Sequence, residues 1–217
     1  MLFFDVLAGI IATAVFLYGA IHLFQRGMPL YFQIIICAVG CFALGQFANL
    51  VSILCGDTGT VTEFSTSSFC YFGAGMSMLT ANTGALDKSI VRPSRRADII
   101  ALAAPVLYFA LLVPLLAMMI PADPFFGVAC MIFLAPSGVN CYFNLRHLLS
   151  EPDEGGILKR IRLTDIFTLI FAFLSFFALF AYRYEIELMY NITEIVTAVI
   201  LSASTFVAVK EAKSWKI

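Results

Sequence analysis

Glu194 is an acid placed within a stretch that is otherwise apolar enough to cross a bilayer. An ionisable group inside such a span has three uses: to bind a cation, to take up a proton, or to accept hydrogen bonds from a polar ligand. The same stretch, residues 188–209, also carries Asn191, Thr193, Thr197, Ser202, Ser204 and Thr205. Each of these costs free energy in hydrocarbon unless it finds a partner, so a span that served only as an anchor would have no need of so many. Amides and hydroxyls recur in other apolar stretches, at Gln46, Asn49, Ser77, Thr80, Asn82, Asn140 and Asn144. A pocket lined by such groups suits a small polar solute. The candidate ligand-binding set is Glu194, Asn82, Thr83, Ser204, Thr205, Asn49 and Asn140. The competing structural use is hydrogen bonding between helices, about 0.6 kcal/mol each in membrane bundles. For Glu194 the alternative is a carboxylate that reaches the outer interface or pairs with Arg183.

Other chemistries find little support. The two histidines, His22 and His147, have no clear third ligand, so an interfacial position suits them better than a metal site. The six cysteines show no CxxC and no Cys/His cluster. Cys55 and Cys70 flank one loop and are placed to form a disulfide in an oxidising compartment, whereas Cys37 and Cys41 share a helical face as core thiols. There is no nucleophile elbow, HExxH or phosphate loop, because Gly73-Ala74-Gly75-Met76-Ser77 lacks the GxSxG order. The expectation is a protein that is not an enzyme and uses neither metal nor cofactor.

The elements that must position these groups are membrane spans. The 217 residues are 61% hydrophobic and only 12% charged. A soluble domain is nearer a quarter charged. A net charge of −1 argues against nucleic acid as a partner. No Lys or Arg precedes the first apolar stretch, so no signal peptide is expected, nor a soluble output domain at either end. Seven stretches can each supply the ~20 helical residues that cross hydrocarbon: 3–24, 30–55, 65–86, 99–120, 125–149, 165–184 and 188–209. The fourth contains Pro105 and Pro114, and Pro136 is expected to interrupt the fifth. With the N-terminus outside, twelve of the thirteen Lys and Arg fall on the inner side and only Arg183 outside. Losing or adding one span spoils that partition. The outer side is acidic, with Asp57, Glu63, Asp123, Glu185 and Glu187. The expected fold is an all-α integral membrane protein. It is a single domain over 1–217, a seven-helix bundle with its C-terminus in the cytosol.

An internal duplication is also suggested. Leu79-Thr80-Ala81-Asn82-Thr83 in the third span matches Leu201-Ser202-Ala203-Ser204-Thr205 in the seventh, with Lys88 and Lys210 at the same offset beyond. His22-Leu23 and His147-Leu148 end the first and fifth spans. Phe42-Ala43-Leu44 and Phe177-Ala178-Leu179 correspond in the second and sixth. This gives repeat units 1–88 and 125–217 joined by a linker helix, 99–120. An odd linker keeps the units parallel, and Asn82 and Thr83 would then face Ser204 and Thr205. In topology alone the plan resembles the 3+1+3 sugar and vitamin transporters and the seven-helix receptors. A retinal-binding protein is disfavoured, because Lys210 lies at the inner end of the seventh span rather than at mid-depth.

The reading that follows is a transporter or permease for a small polar or cationic solute, with its pocket between the third and seventh spans. The alternative is a seven-helix sensor that signals through a cytosolic partner at loops 87–98 and 150–164. A structural subunit of a membrane complex is a third reading, and an oligomer is compatible with any of them. The expected location is the plasma membrane or a bacterial inner membrane, multi-pass, with the lipid bilayer as the constant partner.

Overall fold

The computed structural model describes residues 2–55, 66–84, 86, 95–119, 124–151, 156–184 and 186–215. Among them every regular element is an α-helix: α1 (Leu2–Leu23), α2 (Leu30–Leu54), α3 (Thr66–Gly84), α4 (Arg95–Ala101), α5 (Ala103–Met119), α6 (Pro124–Leu149), α7 (Ile157–Arg183) and α8 (Glu187–Ser214). Five segments are long and apolar enough to cross a membrane: Val6–Leu23, Leu30–Ser52, Arg95–Ala117, Ile157–Ala181 and Glu187–Ser214. The chain thus has the make-up of an α-helical, multi-pass membrane protein. Its exterior supports this, since Ile10, Ile21, Leu44, Phe47, Val106 and Leu188 are all more than half exposed. Asn140, Asn144, Asp165 and Glu194 are buried. A water-soluble fold distributes these groups the other way round.

Residues 95–117 form one rod with a break. The backbone turns at Leu102, between α4 and α5, and Pro105 supplies the reason. It lacks the N–H that would bond the Ala101 carbonyl, and its ring crowds that carbonyl. The ladder holds on both sides, with Leu102 N–H donating to Asp98 O and Val106 N–H to Leu102 O, both at 3.2 Å. Pro114 and Pro136 lie within α5 and α6 without ending them.

α7 begins at Ile157, eight residues before the expected start of its span. The 150–164 segment is therefore only partly loop. Lys and Arg are good helix formers, and Leu158 and Ile161, three residues apart, are fully buried. They dock the basic first turns while Lys159 remains exposed. Gly156, at φ +66°, makes the turn that precedes them.

The helices α1, α2, α3, α6, α7 and α8 pack in that order, and α8 closes back on α1. α4 and α5 lie outside this ring, against α6. One apolar cluster joins α1, α2, α3, α7 and α8, and a second joins α5, α6 and α7. Small residues set the closest approaches. A Cβ on Gly75 would lie 2.7 Å from Ser137 Oγ, and one on Gly138 would lie 2.6 Å from the Phe109 ring. α3 and α5 thus close on α6 from two sides, beside Pro136.

Candidate functional site: a carboxylate buried among four helices

Glu194 lies seven residues into α8, about 10 Å along its axis, and is 1% exposed. Two side chains from other helices donate to it. Gln46 of α2 donates through Nε2 to Oε2. Tyr71 of α3 donates through its hydroxyl to Oε1 at 2.6 Å. Gln46 Nε2 also lies 2.7 Å from the Tyr71 oxygen, so the donors brace each other. α1 comes close here, since a Cβ on Gly9 would lie 3.5 Å from Gln46 Cβ. A charge-assisted pair of donors is what makes a buried carboxylate tolerable. Its burial sets aside an interfacial position for Glu194. The Arg183 side chain lies outside the described residues.

The polar stripe around Glu194 divides in two. Thr193, Thr197 and Ser202 donate back to the carbonyls of Met189, Thr193 and Ala198, which satisfies them within α8. Asn191 Oδ1 and Gln46 Oε1, by contrast, are buried with no hydrogen-bond partner among the described residues. Two open acceptors near a carboxylate suit a ligand that donates, such as an amine or another cation.

The other expected site residues fall in different places. Asn82 of α3 is buried and donates through Nδ2 to Asn140 Oδ1 at 2.8 Å and Asn144 Oδ1 at 2.6 Å, both on α6. Asn82 Oδ1 and Asn144 Nδ2 have no partner among the described residues. Thr83 is exposed and bonds the Leu79 carbonyl. Ser204 and Thr205 are buried on α8. Thr205 bonds the Leu201 carbonyl, and its methyl lies near Gly19 of α1. The expected meeting of Asn82 and Thr83 with Ser204 and Thr205 is corrected accordingly. Among the described residues the backbones of α3 and α8 do not pack together, because the ring places α6 beside α3 and α1 beside α8. The long Tyr71 side chain spans the gap between them. Asn49 is half-buried, one turn beyond Gln46. Cys55 and Cys70 are free thiols and form no disulfide.

A second buried acid stands where the sequence suggests only the start of a span. Asp165 is fully buried two turns inside α7. Tyr31 of α2 donates to its Oδ1 at 3.1 Å, and Nδ1 of His147 of α6 lies 3.3 Å from its Oδ2. Thr168 donates to its backbone carbonyl. His147 is 2% exposed and packs inside the bundle, two residues from the end of α6. His22 remains half-buried at the end of α1, bonded to the Tyr18 carbonyl. Two signals in the sequence pointed to this second cluster. Asp165 is the only acid between residues 157 and 183, and Asn140, Asn144 and His147 recur at i, i+4 and i+7 on one face of α6. Neighbouring Arg146 does not join it, because its Nε pairs with Asp98 of α4 at 3.0 Å.

Among the described residues no group of three His, Cys, Asp or Glu is placed to hold a metal ion. Asp57, Glu63, Asp123 and Glu185, and most of the 87–98 loop, lie outside the described residues. The chain matches no known protein family, no curated protein and no solved structure.

Proposed function

We propose that this protein is a membrane carrier for a small solute bearing a positive charge or several hydrogen-bond donors, and that Glu194 is its anchor. One observation carries the reading: an acid buried in a membrane bundle, held by Gln46 and Tyr71 from two other helices, with unpartnered acceptors beside it on Gln46 and Asn191. Intramembrane acids facing the bundle interior mark solute and ion pathways. A bundle that needed only rigidity would be served by smaller, uncharged groups at lower desolvation cost.

In this reading the chain has seven transmembrane helices, with α4 and α5 forming the fourth, an outer N-terminus and a cytosolic C-terminus. α3 and α6, at 19 and 26 residues, are long enough to complete the set. The parallel-repeat reading draws support from helix adjacency. Exchanging α1, α2 and α3 for α6, α7 and α8 maps the order of the ring onto itself. The pocket of such a carrier lies among α1, α2, α3 and α8, rather than between α3 and α8 alone.

The test is uptake into vesicles reconstituted with purified protein, using labelled methylammonium, choline and urea as probes. Wild-type protein takes up at least one cationic probe, and Glu194→Gln loses that uptake while keeping its helical content. Equal uptake by wild type and Glu194→Gln would overturn the assignment of Glu194.

A further inference from the structure

We propose that Asp165, His147 and Tyr31 form a proton-binding site, distinct from the Glu194 cluster and placed near the opposite end of α2. Tyr31 and Gln46, the α2 members of the two clusters, are 15 positions apart in the sequence, about 22 Å along the helix. The inference needs no transported solute and is independent of the carrier reading.

Three side chains from three helices meet here, and none is more than 2% exposed. The carboxylate has a phenol hydroxyl on Oδ1 at 3.1 Å and an imidazole nitrogen 3.3 Å from Oδ2. Among the described residues no fixed cation balances it. Arg146, beside His147 on α6, is held by Asp98 of α4, which also accepts from Tyr142. Arg162, on α7 itself, donates to the Ser150 carbonyl. α8 meets this end of α7 through Ser214, which bonds Arg160. Its Lys210 and Lys213 are exposed. The described residues of α3 include no ionisable side chain at this level. Among the described residues the ionisable groups facing Asp165 are therefore His147 and Tyr31.

Charge then dictates behaviour. With one proton shared between Asp165 and His147 the pair is neutral overall, whichever residue holds it. Removing that proton leaves a buried net anion, with the Tyr31 hydroxyl and one neutral imidazole N–H beside it, and adding a second leaves a buried cation. Either net charge is costly at a site closed off from water. The site therefore binds one proton over a middle pH range and exchanges it with water at either extreme.

The two halves of the pair make opposite predictions, so thermal stability of the purified protein against pH is the test. Asp165→Asn leaves a lone imidazole that is content when neutral and costly when charged. Wild type, meanwhile, loses its shared proton as pH rises. The stability gap between wild type and Asp165→Asn is therefore wide at about pH 6 and closes toward pH 9. His147→Gln leaves a lone carboxyl that is content when protonated. Its gap from wild type is wide at about pH 7 and closes toward pH 5. The double variant Asp165→Asn/His147→Gln has no proton to exchange here and shows the flattest profile. If Asp165→Asn does not fold, the closing of the His147→Gln gap on acidification carries the test alone. Single variants whose profiles run parallel to wild type at every pH would overturn the proposal and leave the cluster a structural contact. Vesicle uptake is measured separately. Diverging profiles without uptake would keep the proton site and remove the carrier.

Discussion

At the level of single residues, Glu194 was legible and its partners were not. An acid in an apolar run announces itself, because each ionisable group in a span needs a reason. Gln46 was noticed as a polar group, but Tyr71 reads as an ordinary aromatic. Nothing in one sequence states that residues 46, 71 and 194 meet, since that depends on which helices become neighbours. Asp165 is hidden for a local reason: the apolar run begins beside it, so in the sequence it looks like a residue at the water boundary, whereas α7 starts eight residues earlier. The Glu194 contacts predict modest losses from each donor. Tyr71→Phe removes one bond to Glu194, and Gln46→Leu removes the other. Each should lower unfolding free energy by about 0.6 to 2 kcal/mol in detergent. Substituting both should cost less when Glu194 is already Gln, because the charge they serve is gone. A double-mutant cycle by thermal or denaturant unfolding checks this coupling.

At the level of elements, the centres of the helices were readable and their ends were not. The length of an apolar run locates a span, but a helix continues wherever its backbone bonds and propensities allow. α7 extends eight residues earlier because Leu158 and Ile161 bury under a basic surface. α8 continues past Val209 because Ala212 is buried and Trp215 packs edge-on against Phe32 at 5.5 Å. Glycines set the spacing between elements. Gly138→Ala places a methyl 2.6 Å from Phe109 and 2.8 Å from fully buried Tyr108, so a cost of about 1 to 3 kcal/mol is expected. Among the described residues Gly84→Ala meets Thr80 Cγ2 alone, at 3.7 Å, and should be neutral within about 0.5 kcal/mol. Melting temperatures of the two variants decide whether α5 and α6 are packed as closely as described.

At the level of the whole molecule, the class of fold followed from composition and the charge partition suggested its orientation. The order of packing did not follow from either. Apolar helix faces are nearly interchangeable between lipid and protein, so periodicity cannot name neighbours. Placing Asn82 opposite α8 failed for this reason, and the amides of α6 became its partners instead. Orientation is itself testable. Cys55 is exposed just past the end of α2, which the seven-span reading places outside. It should react with a membrane-impermeant maleimide in intact cells, and Cys55→Ser should remove that fast labelling. Labelling of Cys55 only after the membrane is opened would invert the topology.

The central claim is that Glu194 anchors a small solute, and native mass spectrometry of protein extracted gently from its own membrane tests it most directly. The account predicts one small polar or cationic molecule per chain on the wild-type protein and its absence from Glu194→Gln. Wild-type protein carrying no small molecule, or the same mass retained on Glu194→Gln, would contradict it.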